Sequence, residues 1–350
     1  MDRYEISIII PCYNEERFIK MCLNSIYEQS LPMDNLEILV IDGMSNDRTV
    51  AIVKQEIEAG RSNIKLLENP RRIQASAMNI GVRHSRGTYI VRMDAHSTYS
   101  RDYVEKCIAL AKETGADNVG GISIATARSR TGKAISLALS CPFGVGNSVF
   151  RLGGINGEVE SVPFGTFPKT TFKKFGLLNE SLDRCEDKEY NQRIRHGGGR
   201  IVMSKEIMSY YHNRETIGDL AKQSYNNGRW NMYTLALRPS AVSLRHLVPL
   251  MFVISLLVFS ALSLAGFFAF TMSLMFAGLL LLDLGLYLAL NIIFSLKLSR
   301  KNSPSYGLLL PLIFVTMHIS YGIGSIQGLC TLPRFIFKVG NEKGSLNKRN

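Results

Sequence analysis

The first hundred residues alternate between short apolar runs and stretches with helical spacing. ISIIIPC, residues 6 to 12, is an almost continuous apolar run cut by Pro11, the pattern of a strand buried on both faces of a parallel sheet. The next stretch places Phe18, Cys22 and Ile26, with Ile19 and Leu23, on one face of a helix. LEILVID then predicts a second buried strand ending at Asp42-Gly43, and TVAIVKQEI a second helix. IKLLEN and TYIVRMDAHS predict two more strands, with helical QASAMNIGVRHS between them. The order β-α-β-α-β-α-β implies a mostly parallel sheet with helices on both faces.

In such a sheet, ligands bind beyond the carboxyl ends of the strands. Tyr13-Asn14-Glu15, Asp42 and Asp94-Ala95-His96 all fall there, so three strands deliver polar or acidic residues to one edge. Each has a plainer reading alone: Asp42-Gly43 is a common turn, and His96 could cap a helix starting near Tyr99. Asp94 and His96 are both side chains that bind divalent cations.

From Leu247 the pattern changes. Three apolar stretches, 247–270, 272–296 and 306–329, each exceed the ~20 residues that a helix needs to cross ~30 Å of hydrocarbon. Two are expected to span. The third begins beside Pro304 and Pro311 and contains the Gly- and Ser-rich HISYGIGSIQG, which suits a segment that dips or crosses, leaving the basic tail cytoplasmic. Asp283 lies near the middle of the second stretch, with Tyr287 and His318 as candidate partners inside a helical bundle.

Composition adds little to this division, but charge adds direction. The 350 residues carry a formal net charge of +12. The basic residues are scattered without exposed aromatics between them, which argues against nucleic acid; several flank the apolar region, which points to anionic lipid headgroups. The opening apolar run is too short for a signal peptide and has no cleavage site, so the polar domain is expected to stay in the cytoplasm. The six cysteines show no metal-ligand spacing, in keeping with a reducing compartment.

Two later stretches carry further candidate chemistry. RCEDKEY places Glu186, Asp187 and Glu189 at the start of a helix, where the dipole alone would stabilise them. Upstream, VPFGTFPKTTF has the composition of a pocket-shaping loop. Residues 220–239 hold the only tryptophan, Trp230, beside Arg229. Three readings stay open there: stacking of an acceptor on Trp230, a diphosphate contact from Arg229, or an amphipathic interfacial helix with an aromatic anchor.

SIIIPCYNE, ILVIDGMSNDRT, NIGVRHSRGTYIVRMDAH and FGLLNESLDRCEDKEYNQRIRHGG together resemble the successive motifs of family 2 glycosyltransferases with the GT-A fold, most closely the membrane-anchored, succinoglycan-type enzymes of exopolysaccharide assembly. The resemblance covers residues 5 to 235 and implies a GT-A catalytic domain over 1–215, an interfacial segment over 216–245, a membrane domain over 246–330 and a basic tail over 331–350. It implies that Pro11, Tyr13, Asn14 and Glu15 line a nucleotide pocket, that Asp42 accepts a hydrogen bond from the base, and that Asp94 and His96 hold a divalent cation on a sugar-nucleotide diphosphate. The family's Asp-x-Asp here ends in histidine, which favours Mn²⁺ over Mg²⁺. Asp187 takes the position of the catalytic base, with Glu186 positioning or contacting the acceptor. The cellulose-synthase-like Gln-x-x-Arg-Trp element is only partly matched, since Asn226 stands in place of the glutamine. The implied activity is inverting transfer of a hexose, glucose favoured, from a UDP-sugar to a lipid-linked or growing saccharide at the cytoplasmic face of the inner membrane, beside other polysaccharide-assembly proteins. The alternative is a non-catalytic nucleotide-sugar-binding or transport-associated subunit.

Overall fold

The computed structural model describes residues 5–265 and 270–347. The first elements are β1 (Ile6–Cys12), α1 (Ile19–Tyr27), β2 (Leu36–Asp42), α2 (Thr49–Glu58), β3 (Ile64–Glu68), α3 (Gln74–His84), β4 (Tyr89–Arg92), β5 (Ser97–Tyr99) and α4 (Tyr103–Thr114). They are followed by β6 (Asn118–Thr126), α5 (Arg130–Leu139), α6 (Pro142–Val145), β7 (Gly157–Glu158), β8 (Thr166–Pro168), α7 (Thr170–Phe175), α8 (Glu186–His196) and β9 (Ile201–His212). Four long helices close the chain: α9 (Ile217–Leu237), α10 (Val248–Ala265), α11 (Phe270–Asn302) and α12 (Leu309–Asn347). The chain divides into two compact units, Met1–Ala125 with Val149–His212, and Thr126–Ser148 with Asn213–Asn350.

The first unit is built on one sheet of order β3-β2-β1-β4-β8-β6-β9-β5, with β7 paired to β9. β3, β2, β1 and β4 run parallel, as the alternating pattern requires. Beyond β4 the sheet is not parallel: β8 enters antiparallel to β4, and the pairs β6–β8, β5–β9 and β7–β9 are antiparallel too. The sheet is therefore mixed. β5, β7 and β8 are only two or three residues long and enter the sheet out of chain order, which breaks the strand-helix repeat that enforces parallel crossovers.

Strand alternation explains why the early strands are apolar throughout. Ile6, Ile8 and Ile10 face one core with Leu23 of α1, Val53 of α2 and Val104 of α4. Ile9, Leu39 and Ile41 face the other with Met78 of α3 and Ile194 of α8. A fully buried carboxylate, Glu37, interrupts this apolar layer. Its Oε1 accepts from Ser7 Oγ at 2.5 Å and from the Arg86 backbone N–H, and its Oε2 from Arg86 Nε at 3.2 Å. Burial pushes its pKa up, but these donors outweigh burial and hold it below the usual carboxylate range.

In the second unit, α10, α11 and α12 are each long and apolar enough to cross a membrane. The prolines and glycines of the third stretch do not break it. Pro311 lies in the first turn of α12, where its missing N–H costs nothing, and the helix runs on to Asn347, into the residues read from sequence as a tail. The glycines serve close packing instead. A Cβ at Gly324 would lie 2.0 Å from the Tyr225 carbonyl oxygen, one at Gly328 2.7 Å from that of Arg229, and one at Gly228 2.0 Å from that of Tyr321, so α9 and α12 touch backbone to backbone. Asp283 accepts from Ser255 Oγ of α10 at 2.5 Å. His318 is engaged elsewhere: its Nε2 donates to the Phe143 carbonyl at 2.9 Å and its Nδ1 accepts from Tyr287 Oη at 3.1 Å.

Glu37→Ala strands the Ser7 hydroxyl and a backbone N–H inside the sheet, and is expected to cost roughly 3 kcal/mol at pH 7, measured by denaturant unfolding in detergent micelles. Because the folded pKa is depressed, the difference from wild type should be full above about pH 5 and shrink as the pH falls through the folded value. A difference independent of pH down to about pH 3 would show that Glu37 contributes packing alone.

Candidate active site

The site is assembled at the carboxyl ends of β1, β2 and β4. After β1 the backbone turns through Asn14 with φ 55°, and after β2 through Met44 with φ 61°. The two turns are stitched together. Asn14 N–H donates to Ser45 Oγ at 2.9 Å, Asn46 N–H to Asn14 Oδ1 at 2.9 Å, and Glu15 N–H to Thr49 Oγ1 at 2.7 Å. Asp42 is buried and accepts from Ser45 N–H at 2.9 Å and Ser45 Oγ at 2.6 Å, which shapes the turn around its carboxylate. Tyr13 remains 45% exposed over Gly43, where a Cβ would meet the tyrosine at 3.2 Å, so its ring is available to a flat ligand. Pro11 lies within β1, opposite Ile41.

Asp94-Ala95-His96 forms a clamped turn. Asp94 N–H donates to Tyr99 Oη at 2.7 Å, and Ser97 N–H to the Asp94 carbonyl at 3.1 Å. His96 caps no helix: the chain enters β5 directly, and α4 starts only at Tyr103. His96 Nδ1 lies 2.9 Å from Glu15 Oε1, and its ring meets Tyr211 edge-on at 5.3 Å. Burial works against an imidazolium here, but the hydrogen bond to Glu15 and the nearby Tyr211 and Asp94 push the pKa up to about 9. Glu15 is thus a partner of His96 as well as part of the first turn.

One residue that the sequence reading passed over joins this turn to α8. Arg92 Nε donates to Asp94 Oδ1 at 3.2 Å, and its Nη1 to Glu186 Oε1 at 3.1 Å. Gln74 Nε2 also donates to Asp94 Oδ1, at 3.1 Å. Burial opposes the charge of Arg92, but Asp94, Glu186 and Asp187 more than reverse that effect. Glu186 is 2% exposed, and burial pushes it up to about 7 against the pull of Arg92. Asp187 makes no ion pair with Arg92; it lines a small cavity with Arg92, Asn118, Tyr190 and Asn191. Cys185, just before α8, adopts a left-handed φ of 63° and sets the direction of that first turn. An arginine inside an otherwise apolar strand, two residues before Asp94, was the available signal.

The donor set at Asp94 and His96 fits a divalent cation. Both side-chain hydrogen bonds to Asp94 end on Oδ1, leaving Oδ2 for a ligand, and the Glu15 carboxylate occupies Nδ1 of the histidine, leaving Nε2 as its other ring nitrogen, as in carboxylate-histidine-metal arrangements. Among the described residues no cluster of three or more His, Cys, Asp or Glu could hold a metal, so the remaining ligands would come from a bound anion and water.

Arg229 and Trp230 belong to the second unit, on α9. Arg229 Nε donates to Tyr233 Oη at 3.0 Å, and Trp230 meets Tyr233 and Phe335 edge-on at 5.1 and 6.0 Å. Both are half-buried in an aromatic cluster between α9 and α12.

A family model described as glycosyl transferase family 2 matches residues 7–173. The succinoglycan biosynthesis protein ExoA of Rhizobium meliloti (strain 1021) is 30% identical over 245 residues, covering 69% of this chain and 74% of that protein. The dolichyl N-acetyl-alpha-D-glucosaminyl phosphate 3-beta-D-2,3-diacetamido-2,3-dideoxy-beta-D-glucuronosyltransferase of Methanococcus voltae is 26% identical over 337 residues, 93% of this chain and 98% of its own. The mannosyltransferase PcManGT from Pyrobaculum calidifontis, solved in complex with GDP-Man and Mn²⁺, superposes with a TM-score of 0.62 at 20% identity, over 93% of this chain and 87% of that one. That likeness establishes the fold as GT-A.

Removing the cation that joins the buried Glu186 to the partly buried Asp94 should be costly. Arg92→Met is expected to lower stability by roughly 3–5 kcal/mol, read as a fall in the unfolding midpoint. Arg92→Lys should cost less, since an ammonium keeps the charge but not the fork that reaches both partners. An unchanged midpoint for Arg92→Met would mean that neither ion pair matters to the fold.

Proposed function

The chain belongs to glycosyl transferase family 2, and from that premise we propose that it moves a hexose, glucose in the first instance, from a UDP-sugar to a lipid-linked or growing saccharide, with inversion at the anomeric carbon. The observation that carries this reading is the double ion pair of Arg92, which binds the carboxylate of the Asp94 turn and the first turn of α8 to one group. A donor-side and an acceptor-side carboxylate are thereby held in one rigid frame, as a single displacement requires.

Asp187 is the base. Glu186 is buried and committed to Arg92, whereas Asp187 on the next residue lines the cavity without an ion pair to that arginine. Asp187 takes the proton of the acceptor hydroxyl as its oxygen bonds to the anomeric carbon; the bond from that carbon to the diphosphate breaks, and its electron pair leaves with the diphosphate. Tyr13, Asn14, Glu15 and Asp42 receive the nucleotide, with Pro11 within the last residues of β1 beside them. A divalent cation on Asp94 and His96 would stabilise the negative charge of the leaving diphosphate. The histidine makes Mn²⁺ the better match than Mg²⁺.

The relatives support the setting. One is named for succinoglycan biosynthesis, and another for transfer to a dolichyl-linked sugar phosphate. Together with three helices able to cross a membrane, they support a reaction at the cytoplasmic face of the inner membrane, in exopolysaccharide assembly. Mass spectrometry of the product, after incubating membranes with a panel of UDP- and GDP-sugars and lipid-linked acceptors, tests the reading; no product from any pair would return the chain to a binding role.

Asp187→Asn should abolish transfer while nucleotide affinity stays within about threefold, or about 0.65 kcal/mol. Near-normal turnover by the folded variant would remove Asp187 as the base. Chelation of divalent cations should stop transfer, and Mn²⁺ should restore it at lower concentration than Mg²⁺. Full activity in excess chelator would take the cation out of the mechanism.

A further inference from the structure

The first unit contains a half-buried cation, enclosed at its Nη1, that the mechanism above leaves unused. Arg151 ends a single turn, Val149–Arg151, that precedes β7 in the chain. Its guanidinium carbon lies 5.4 Å from the centroid of Tyr211 and 5.5 Å from that of Phe150. Nη1 is buried without a hydrogen-bond partner, and among the described residues no carboxylate lies within ion-pair distance of the side chain. Burial lowers its pKa, with only Tyr211 pulling the other way.

Such a charge is expensive. A buried ion is ordinarily paired, and contacts with two ring faces replace only part of the hydration it loses. The native state keeps the cation where an anion completes it. Tyr211 shows which anion: the same ring that lies under Arg151 meets His96 edge-on at 5.3 Å, and His96 stands two residues from Asp94. Tyr211 also pairs with Ser97 across β5 and β9, which fixes it against the Asp94 turn. The unpaired guanidinium therefore sits one ring away from the residues assigned to the donor's diphosphate. Arginine's planar fork suits two phosphate oxygens better than any other side chain does.

We propose that Arg151 is a diphosphate-binding residue of the donor site, its unpaired N–H groups donating to phosphate oxygens of the nucleoside diphosphate. The inference rests on the transferase reading and adds a second cationic contact, supplied by the chain itself, to the one made through Asp94 and His96. A phosphate group is also present in a lipid-linked acceptor, so the test separates the two sources. The donor is favoured because the ring under Arg151 is the ring against His96.

The experiment uses the full chain in detergent micelles with Mn²⁺ and compares wild type, Arg151→Met and Arg151→Lys. Binding of UDP, GDP, uridine, guanosine and inorganic diphosphate is measured by calorimetry, and unfolding midpoints are recorded with and without each ligand. Arg151→Met should weaken the nucleoside diphosphate that wild type binds by at least about tenfold, or 1.4 kcal/mol, and inorganic diphosphate likewise, leaving the nucleosides within about twofold. Without ligand its midpoint should equal or exceed that of wild type, because an uncompensated charge has gone, and its rise on adding nucleotide should shrink. Should Arg151→Met not fold, Arg151→Lys decides, with a weakening of at least about threefold. Wild-type affinity in a folded variant, equal losses for nucleoside and nucleotide, or an effect confined to the KM of a lipid-phosphate acceptor would each overturn the assignment. A wild type that binds no nucleoside diphosphate would instead refute the transferase reading, and the inference with it.

Discussion

A guanidinium at the end of a buried strand cannot stay there without two anions, and Arg92 has them: Asp94 two residues on, and Glu186 on a helix ninety-four residues away. The pairing constrains both partners. Asp94 cannot swing away from the strand end, and the first turn of α8 cannot move without leaving a charge stranded in low dielectric. Helix α8 is otherwise compatible with its own dipole, with Glu186, Asp187 and Glu189 in the first turn and Arg193, Arg195 and His196 in the last. That electrostatic agreement lets an acidic turn sit against the sheet at all. The side chain with no ion pair to Arg92, Asp187, is the one that lines the cavity beside it.

The same logic of forced pairing runs through the neighbouring turns. Asn14, Ser45, Asp42 and Thr49 satisfy one another's backbone and side-chain groups across two loops, so this edge of the sheet is organised before any ligand arrives. Glu15 and His96 do this for the third loop. Preorganisation of this kind lowers the ordering cost of binding, because the polar groups are already fixed in place.

The parallel half of the sheet was legible because strands buried on both faces have an unmistakable apolar signature, and β1, β2 and β4 carry it in ISIII, LEILV and YIV. The antiparallel half was not. β5, β7 and β8 are two or three residues long, too short for any periodicity to register, and their place in the sheet is decided by long-range pairing. Asp94, His96, Glu186 and Asp187 stood out as polar residues at element ends. Arg92 offered a signal, a charge in an otherwise apolar strand, whereas Arg151 offered none, since an arginine in a loop looks the same in sequence whether it is solvated or enclosed. The third apolar stretch shows the converse: its glycines read as helix breakers, yet helix α9 against them makes small residues the favourable choice.

That glycine-lined contact has a consequence for how the sequence can drift. Along α10 and α11 many large apolar side chains point outward, and one such residue can replace another with little effect on the helices themselves. Positions 228, 324 and 328 have no such latitude, because every other amino acid brings a Cβ into a carbonyl oxygen of the facing helix. The second unit therefore combines a surface almost free to vary with a seam where a single added carbon is refused. In related chains, residue identity should persist along that seam even where the outward-facing membrane positions have become unrecognisable.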